Sequence, residues 1–253
     1  MADYFTTRNN ESIILINKNY ENNIIEMFIN GKKVFNSYNS TFLFVGSYTI
    51  NFLLNITNIN SLNRIFSNVI NMRSIKFTCQ FDTKNIIDMS YIFYYCQSLE
   101  YIDLSNFNTQ NVESMNSMFK HCHKLKSINL SNFDTQNLRN MGHMFCNCQQ
   151  LESIDLSNFN TEKVENIDYM FNECHGLTSI DLSNFNTQNV LNIDYIFSYC
   201  SSLGFINIAS FSKVSLFSNS FFYKLPSSGS IIINRTLFDT INKSLNNCDI
   251  VKE

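Results

Sequence analysis

Apolar residues recur along the chain with a 26-residue period. The clearest markers are five phenylalanines, each 26 residues after the last: Phe93, Phe119, Phe145, Phe171 and Phe197. They belong to a string that reads MFxxCxxLxxIDLSNFxT in its most regular copies. A unit this short cannot bury its apolar face alone, so the pattern predicts repeats that stack in sequence order around a continuous core.

The second half of each repeat has the periodicity of a β-strand. Ile102 and Leu104 fall on one side of the chain, and Tyr101, Asp103 and Ser105 fall on the other. Alternation with period two is typical of a half-buried strand. Stacked repeats would then align their strands in a parallel sheet.

The first half of each repeat has helical periodicity. Met115, Met118, Phe119 and Cys122 lie at i, i+3, i+4 and i+7, which is one face of a two-turn helix. The residue before each Met-equivalent position is a good N-cap. These residues are Ser61, Asp88, Ser114, Asn140, Asn166, Asn192 and Ser218.

The two ends of the chain depart from the repeat. Upstream, the pattern predicts an antiparallel β cap with a hairpin turn at Asn30-Gly31, built from strands at 12–16, 24–29, 42–45 and 48–54. Downstream, Pro226 falls where the last repeat helix should stop. A strand at 230–234 and a terminal helix through Leu237, Phe238, Ile241 and Leu245 are predicted after it.

These elements predict an α/β solenoid with a parallel sheet on one face and short helices on the other. We divide it into an N-terminal β cap (1–57), a repeat region (58–225) and a strand–helix cap (226–253).

The repeat string resembles the BspA-type leucine-rich repeats of bacterial, mycoplasma-type and protist surface proteins. The residues that carry the resemblance in one copy are Met118, Phe119, Cys122, Leu125, Ile128, Leu130, Ser131, Asn132, Phe133, Thr135 and Leu138. Three near-identical copies extend the resemblance over roughly residues 61–217. It implies a curved, right-handed leucine-rich-repeat-like superhelix that serves adhesion or protein recognition, without catalysis and without a cofactor.

Composition narrows the classes of partner. Charged residues make up 15% of the chain and the formal net charge is −3. A cluster of Lys and Arg that could neutralise a phosphate backbone is missing from the sequence, so we do not expect a nucleic-acid partner.

No apolar stretch reaches the roughly 18 residues of a membrane span. The N-terminal residues lack the pattern of a secretion signal and predict an unexported chain, whereas the family resemblance implies the cell surface.

Five cysteines repeat with the 26-residue period: Cys96, Cys122, Cys148, Cys174 and Cys200. Neighbouring repeats would bring their sulfurs close enough for disulfides. The favoured interpretation is a ladder of small buried thiols, because an odd number cannot pair completely and each cysteine shares the Met and Phe face.

Histidines and cysteines crowd one part of the sequence and suggest a zinc site at first sight. The repeat argues against such a site, because Cys122 faces the core whereas His121 and His123 point away from it. His123 and His175 occupy equivalent positions two repeats apart, about 10 Å, too far to share an ion that is bound at about 2.1 Å. We therefore predict no metal site there.

The outward side of the strands is the predicted binding surface, because solenoids recognise ligands with extended repeat faces. We expect a protein or a surface glycan as the partner. The candidate residues on this concave strand face are Tyr101, Asp103, Ser105, Ser127, Asn129, Ser153, Asp155, Ser179, Asp181 and Phe205.

Two ladders on or beside this face have competing explanations. Asp155 and Asp181 would be neighbours, and their repulsion is relieved either by Ca²⁺ or, in the favoured interpretation, by solvent and the Ser and Asn groups around them. The turn ladders represented by Asn132 and Thr135 should hydrogen bond the backbone between repeats.

The leading hypothesis is therefore a recognition or adhesion module. The alternative is an intracellular scaffold or assembly subunit, which the missing secretion signal favours. An enzyme is disfavoured, because no nucleophile–base pair, metal cluster or phosphate loop is evident once the repeat is taken into account.

Overall fold

The computed structural model of the protein describes residues 2–7, 12–14, 18–29, 32–34, 39–41, 46–77, 81–212, 221–226, 229–233 and 249–252. The repeats are numbered below by their central aromatic residue, from repeat 1 with Phe66 and repeat 2 with Phe93 to repeat 6 with Phe197. Repeat 7 contains Phe222. Each repeat consists of a turn segment followed by a strand segment.

The N-terminal part of the chain is an antiparallel β structure, as predicted. Its strands are β1 (Ala2–Thr7), β2 (Ser12–Ile14), β3 (Ile24–Ile29), β4 (Lys32–Val34), β5 (Asn39–Thr41) and β6 (Gly46–Leu54). A 3₁₀ helix, Lys18–Asn23, precedes β3. β3 pairs with β4 across the predicted hairpin, whose turn residues lie outside the described part, as do residues 42–45.

The sequence pattern missed β1, which joins the N-terminal strands to the repeats. β1 pairs antiparallel with β6 and also with β7 (Met72–Lys76), the strand of repeat 1. β7 in turn pairs parallel with β8 (Tyr101–Asp103) of repeat 2. The six-stranded sheet therefore has the order β4-β3-β6-β1-β7-β8 and runs across the predicted boundary at residue 57.

A second sheet is wholly parallel and ends the described chain. It contains β9 (Ser179–Asp181), β10 (Phe205–Asn207), β11 (Ser230–Ile233) and β12 (Asp249–Lys252). The strand predicted at 230–234 is thus confirmed as β11, whereas β12 was not anticipated. The predicted terminal helix falls on residues outside the described part.

The strand face is interrupted between these two sheets. In repeats 3 and 4, residues 127–129 and 153–155 are not paired as strands. The prediction of one parallel sheet along the repeats therefore holds only at the two ends of the strand face.

The predicted repeat helices are wrong. Among the described residues, the turn segments contain no helix, although the residues that were assigned to its buried face (Met115, Met118, Phe119 and Cys122) are all 0% exposed. The backbone alternates instead: the N–H groups of Met115, Ser117, Phe119 and His121 donate to carbonyl oxygens of the next repeat. The N–H groups of Met118, Lys120 and Cys122 donate three residues back within their own repeat. A helix would need all of these donors for itself, so stacking replaces it.

Two residues per turn segment have left-handed backbone conformations. In repeat 3 they are Ser117 (φ 55°) and His121 (φ 65°). The same pair of positions is left-handed in repeats 1, 2, 4, 5 and 6: Arg64 and Asn68, Tyr91 and Tyr95, His143 and Asn147, Tyr169 and Glu173, Tyr195 and Tyr199. Periodic reversal of φ keeps the segment flat enough for alternate N–H groups to point along the stack.

The residues predicted as N-caps still act as caps in repeats 1–6, whereas Ser218 lies outside the described residues. The side chain of Asn140 accepts the N–H of Gly142 at 3.0 Å, and that of Asn166 accepts the N–H of Asp168 at 3.0 Å. Their backbones also form an unbroken series of parallel bridges from Ser61 to Asn192. The capping residues were thus identified correctly. Each of them starts a turn that hydrogen bonds to the neighbouring repeats, and not a helix.

The core is a column of phenylalanines, as predicted. The rings of Phe93, Phe119 and Phe145 are 0% exposed, lie 5.6 Å apart between centroids and are within 11° of parallel. Within the described residues, no helix is long and apolar enough to cross a membrane.

Candidate binding face and groove

All ten predicted binding residues lie on the strand face and reach solvent. Eight of them are exposed, and Asp103 and Phe205 are half-buried. The alternation that placed them outward is confirmed by the burial of the intervening residues, among them Ile102, Leu104 and Ile180. They are spread over repeats 2–6, however, and the structure brings only half of them together.

Those five residues surround a groove between repeats 2 and 3, with a volume of about 210 Å³. Its walls are residues 101–105 of repeat 2 and residues 127–129 of repeat 3, with Asn132 at one end. The groove exists because β8 has no strand partner on its repeat 3 side. Two other hollows, of about 330 Å³ and 540 Å³, lie elsewhere and are wider open to solvent. We refer to this feature as the strand-face groove.

Asp103 is the charged side chain in the wall of the groove. Its Oδ1 accepts the hydroxyl of Ser105 at 2.7 Å and the N–H of Ser105 at 3.1 Å. Its Oδ2 forms an ion pair with Lys76 at 3.3 Å. Bonds from Ser105, and then the Lys76 ammonium, lower the pKa of Asp103, so the carboxylate is ionised and its charge is matched.

The Asp and Asn ladder of the strand face has a structural role. Oδ1 of Asp155 accepts the N–H of Ser157 at 2.9 Å, and Oδ1 of Asp181 accepts the N–H of Ser183 at 2.9 Å. Asn129 does the same for Ser131, at 3.0 Å. Each side chain closes a turn at the end of the strand segment, which an amide or a carboxylate can do. This accounts for the ladder without Ca²⁺, which stays an untested alternative.

The Asn and Thr turn ladders bond between repeats, as predicted. Asn158 Nδ2 donates to the carbonyl oxygens of Leu130 at 3.1 Å and Phe133 at 3.0 Å. Thr135 Oγ1 donates to the carbonyl oxygen of Asn160 at 3.0 Å and accepts the N–H of the same residue at 2.8 Å. These bonds hold the loops after the strand face in register.

The turn side carries a second feature that the sequence reasoning did not single out, a ladder of aromatic rings. The His143 and Tyr169 rings stack at 4.7 Å, and those of Tyr169 and Tyr195 at 4.8 Å. The signal was present as a 26-residue spacing of His143, Tyr169 and Tyr195. It went unnoticed because these positions were assigned to the outer side of a helix.

His143 of this ladder and the nearby His121 are neutral and belong to a network of side chains. Burial, reinforced by Lys120 and His121, lowers the pKa of His143 to about 4. Burial together with Lys120 and His123 lowers the pKa of His121 to about 4. Lys120 Nζ lies 3.2 Å from His143 Nδ1. Within the described part of the chain, no group of three His, Cys, Asp or Glu side chains is placed to hold a metal ion.

The cysteine ladder is buried and its thiols are free, as the favoured interpretation has it. The structure adds a role that packing alone does not supply. Each Sγ donates to the carbonyl oxygen of the central Phe of the preceding repeat, for example Cys148 to Phe119 at 3.1 Å and Cys174 to Phe145 at 3.1 Å. Burial raises the pKa of these thiols, so they are poor nucleophiles.

A protein-family model matches the chain twice, over residues 32–151 and over residues 124–228. Its description is "Mycoplasma protein of unknown function, DUF285". The chain belongs to this family. The DUF285 matches run through the repeats that build the strand face, and the family is related to the BspA-like repeats that the sequence resembles. Comparisons with curated proteins and with solved structures found no match.

Proposed function

We propose that this DUF285 protein is a recognition module that binds a partner through its strand face, with the strand-face groove at the centre of the contact. In this proposal the repeats form a right-handed solenoid of the leucine-rich-repeat type, and the chain performs no catalysis. The observation that carries the proposal is the groove, where five residues selected from the sequence as outward-facing converge on one hollow.

The surrounding face suits recognition by its composition. It presents Ser and Asn hydrogen-bonding groups beside one large exposed ring, Tyr101, which is 59% exposed. Tyrosine provides a rigid contact area at low conformational cost, while Ser and Asn adapt their hydrogen bonds to a ligand. The six cysteines among the described residues are all buried, so their thiols are not presented to solvent.

The test uses the full chain, biotinylated, as bait on intact cells and on cell extract. Ser127→Arg places a long cation in the groove, and Gln110→Arg adds the same charge at an exposed loop position away from it. We expect Ser127→Arg to reduce capture at least tenfold and Gln110→Arg to leave it unchanged. Capture that survives Ser127→Arg, with an unchanged melting temperature, would overturn the groove as the binding site.

A further inference from the structure

One residue that departs from the repeat lies at the groove. Tyr101 pairs in register with Ser74 of repeat 1, and serine also stands at this ladder position in the next three repeats. The ring of Tyr101 is 59% exposed, so it adds little to the core. The repeat itself therefore does not require an aromatic residue here, and the ring calls for another explanation.

The wall of the groove is rich in uncharged hydrogen-bonding groups. It includes the hydroxyls of Ser105 and Ser127 and the amide of Asn129, all on exposed residues. No backbone hydrogen bond joins residues 101–103 to residues 127–129, both of which are described, so main-chain donors and acceptors also reach this space. Since Asp103 is matched by Lys76, the groove favours a neutral ligand with many hydroxyls.

The size and floor of the groove fit one sugar ring. Its volume of about 210 Å³ lies below the roughly 300–1,000 Å³ of a site for a drug-sized ligand. Ile102 and Leu104 are buried beneath it and Ile128 is half-buried, which provides an apolar floor. An exposed phenol ring attracts the weakly positive C–H face of a sugar through its quadrupole.

An added peptide strand fits the groove less well. Strand addition needs a gap of about 10 Å between the two flanking strands. The stacked Phe93 and Phe119 rings hold repeats 2 and 3 only 5.6 Å apart. A side chain of a partner protein could enter the groove, but an extended backbone could not lie between the repeats.

On these grounds we propose that the strand-face groove binds a neutral hexose unit of a glycan, with Tyr101 stacking on the sugar ring and Ser105, Ser127 and Asn129 bonding its hydroxyls. This inference rests on the proposed recognition function and names the class of ligand.

The experiment titrates glucose, galactose, mannose and N-acetylglucosamine, each up to 50 mM, into the full ¹⁵N-labelled chain and follows backbone amide signals. Sialic acid serves as the charged comparison. We expect at least one neutral sugar to shift the signals of residues 101–105 and 127–132 saturably. Tyr101→Ser, which restores the serine found in repeats 1, 3, 4 and 5, should weaken that binding at least tenfold.

Tyr195→Ser is the control, because Tyr195 is an exposed aromatic residue on the turn side and lies outside the strand face. It should leave sugar binding unchanged. Loss of binding in both variants, or no saturable shift with any neutral sugar, overturns the glycan proposal. In the latter case, continued loss of capture by Ser127→Arg would show that the recognition function stands with a protein as its partner.

Discussion

The thiol of Cys148 donates a hydrogen bond to the carbonyl oxygen of Phe119 at 3.1 Å, although the two residues are 29 positions apart in the chain. The same carbonyl accepts the N–H of Cys122 at 3.0 Å. The cysteine thus joins two repeats at the point where the core column and the turn segment meet.

The donor role of this thiol predicts an order of stability among variants of Cys148. Cys148→Ala removes both the volume and the hydrogen bond and should cost about 2 kcal/mol, whereas Cys148→Ser keeps a donor and should cost about 1 kcal/mol. Urea unfolding followed by circular dichroism measures both. If serine proves as destabilising as alanine, or more so, the cysteine acts only by filling space.

The side-chain amide of Asn158 donates hydrogen bonds to the preceding repeat, so the stability of Asn158 variants should depend on this donor. Asn158→Ala loses three hydrogen bonds from an exposed residue and should cost about 1 kcal/mol. Asn158→Asp should cost more at pH 7, because a carboxylate would then face the carbonyl oxygens of Leu130 and Phe133.

Asn129→Asp makes the same chemical change at a position where repeats 2, 4 and 5 already carry Asp. Its side chain accepts a hydrogen bond instead of donating one, so stability should change by less than about 0.5 kcal/mol. Equal effects at the two positions would contradict the assigned role of Asn158. Chemical denaturation at pH 7 compares them.

The left-handed conformation of Ser117 predicts an unusual preference at this buried position. Ser117→Gly should stay within about 1 kcal/mol of the wild type, because relief of backbone strain offsets the entropy of glycine in the unfolded chain. Ser117→Val should cost about 2 kcal/mol or more, because a branched side chain is poorly tolerated at positive φ.

The order should reverse at Ser153, an exposed strand-face residue that is not left-handed. There valine should be the better tolerated and glycine the worse. Thermal unfolding of the four variants checks this, and the same ranking at both sites would rule out conformational strain as the cause.

The depressed pKa values of His121 and His143 predict a loss of stability in mild acid. In the unfolded chain both rings titrate near 6.5, whereas in the folded protein they titrate at about 4. Between these values the unfolded chain binds more protons, so the free energy of unfolding falls as the pH falls from 6.5 to 4. Solvent screening limits the effect to about 1 kcal/mol for each ring.

His143→Tyr tests this pH dependence, because tyrosine stands at the equivalent position of the next repeat. The variant should keep the stacking on Tyr169 and should lose part of the pH dependence between 6.5 and 4, because His121 and His123, whose pKa values are also lowered, remain. Asp168 acts in the opposite sense, since burial raises its pKa. An unchanged slope in His143→Tyr, measured by urea unfolding at pH 4.5, 5.5 and 7, would show that the ring is not the titrating group.

Local patterns predicted much of the architecture because they are set by burial within one repeat. The 26-residue period identified the phenylalanine column, and the alternation around Ile102 identified which residues face solvent. The hydrogen-bonding roles predicted for Asn140, Asn158 and Thr135 were also correct. Each role depends on backbone groups that the repeat places within hydrogen-bonding distance.

The sequence by itself therefore determined the repeat, its inward and outward faces and the burial of its thiols. Only the tertiary structure decided that the turn segment is not a helix. Carbonyl oxygens of the next repeat are within reach of its N–H groups only when the repeats are stacked. It also decided where the strand face opens. Residues 101–103 and 127–129 carry nearly the same local pattern as β9 and β10, yet only the latter pair in register, so a groove forms beside Tyr101 and the candidate site with it.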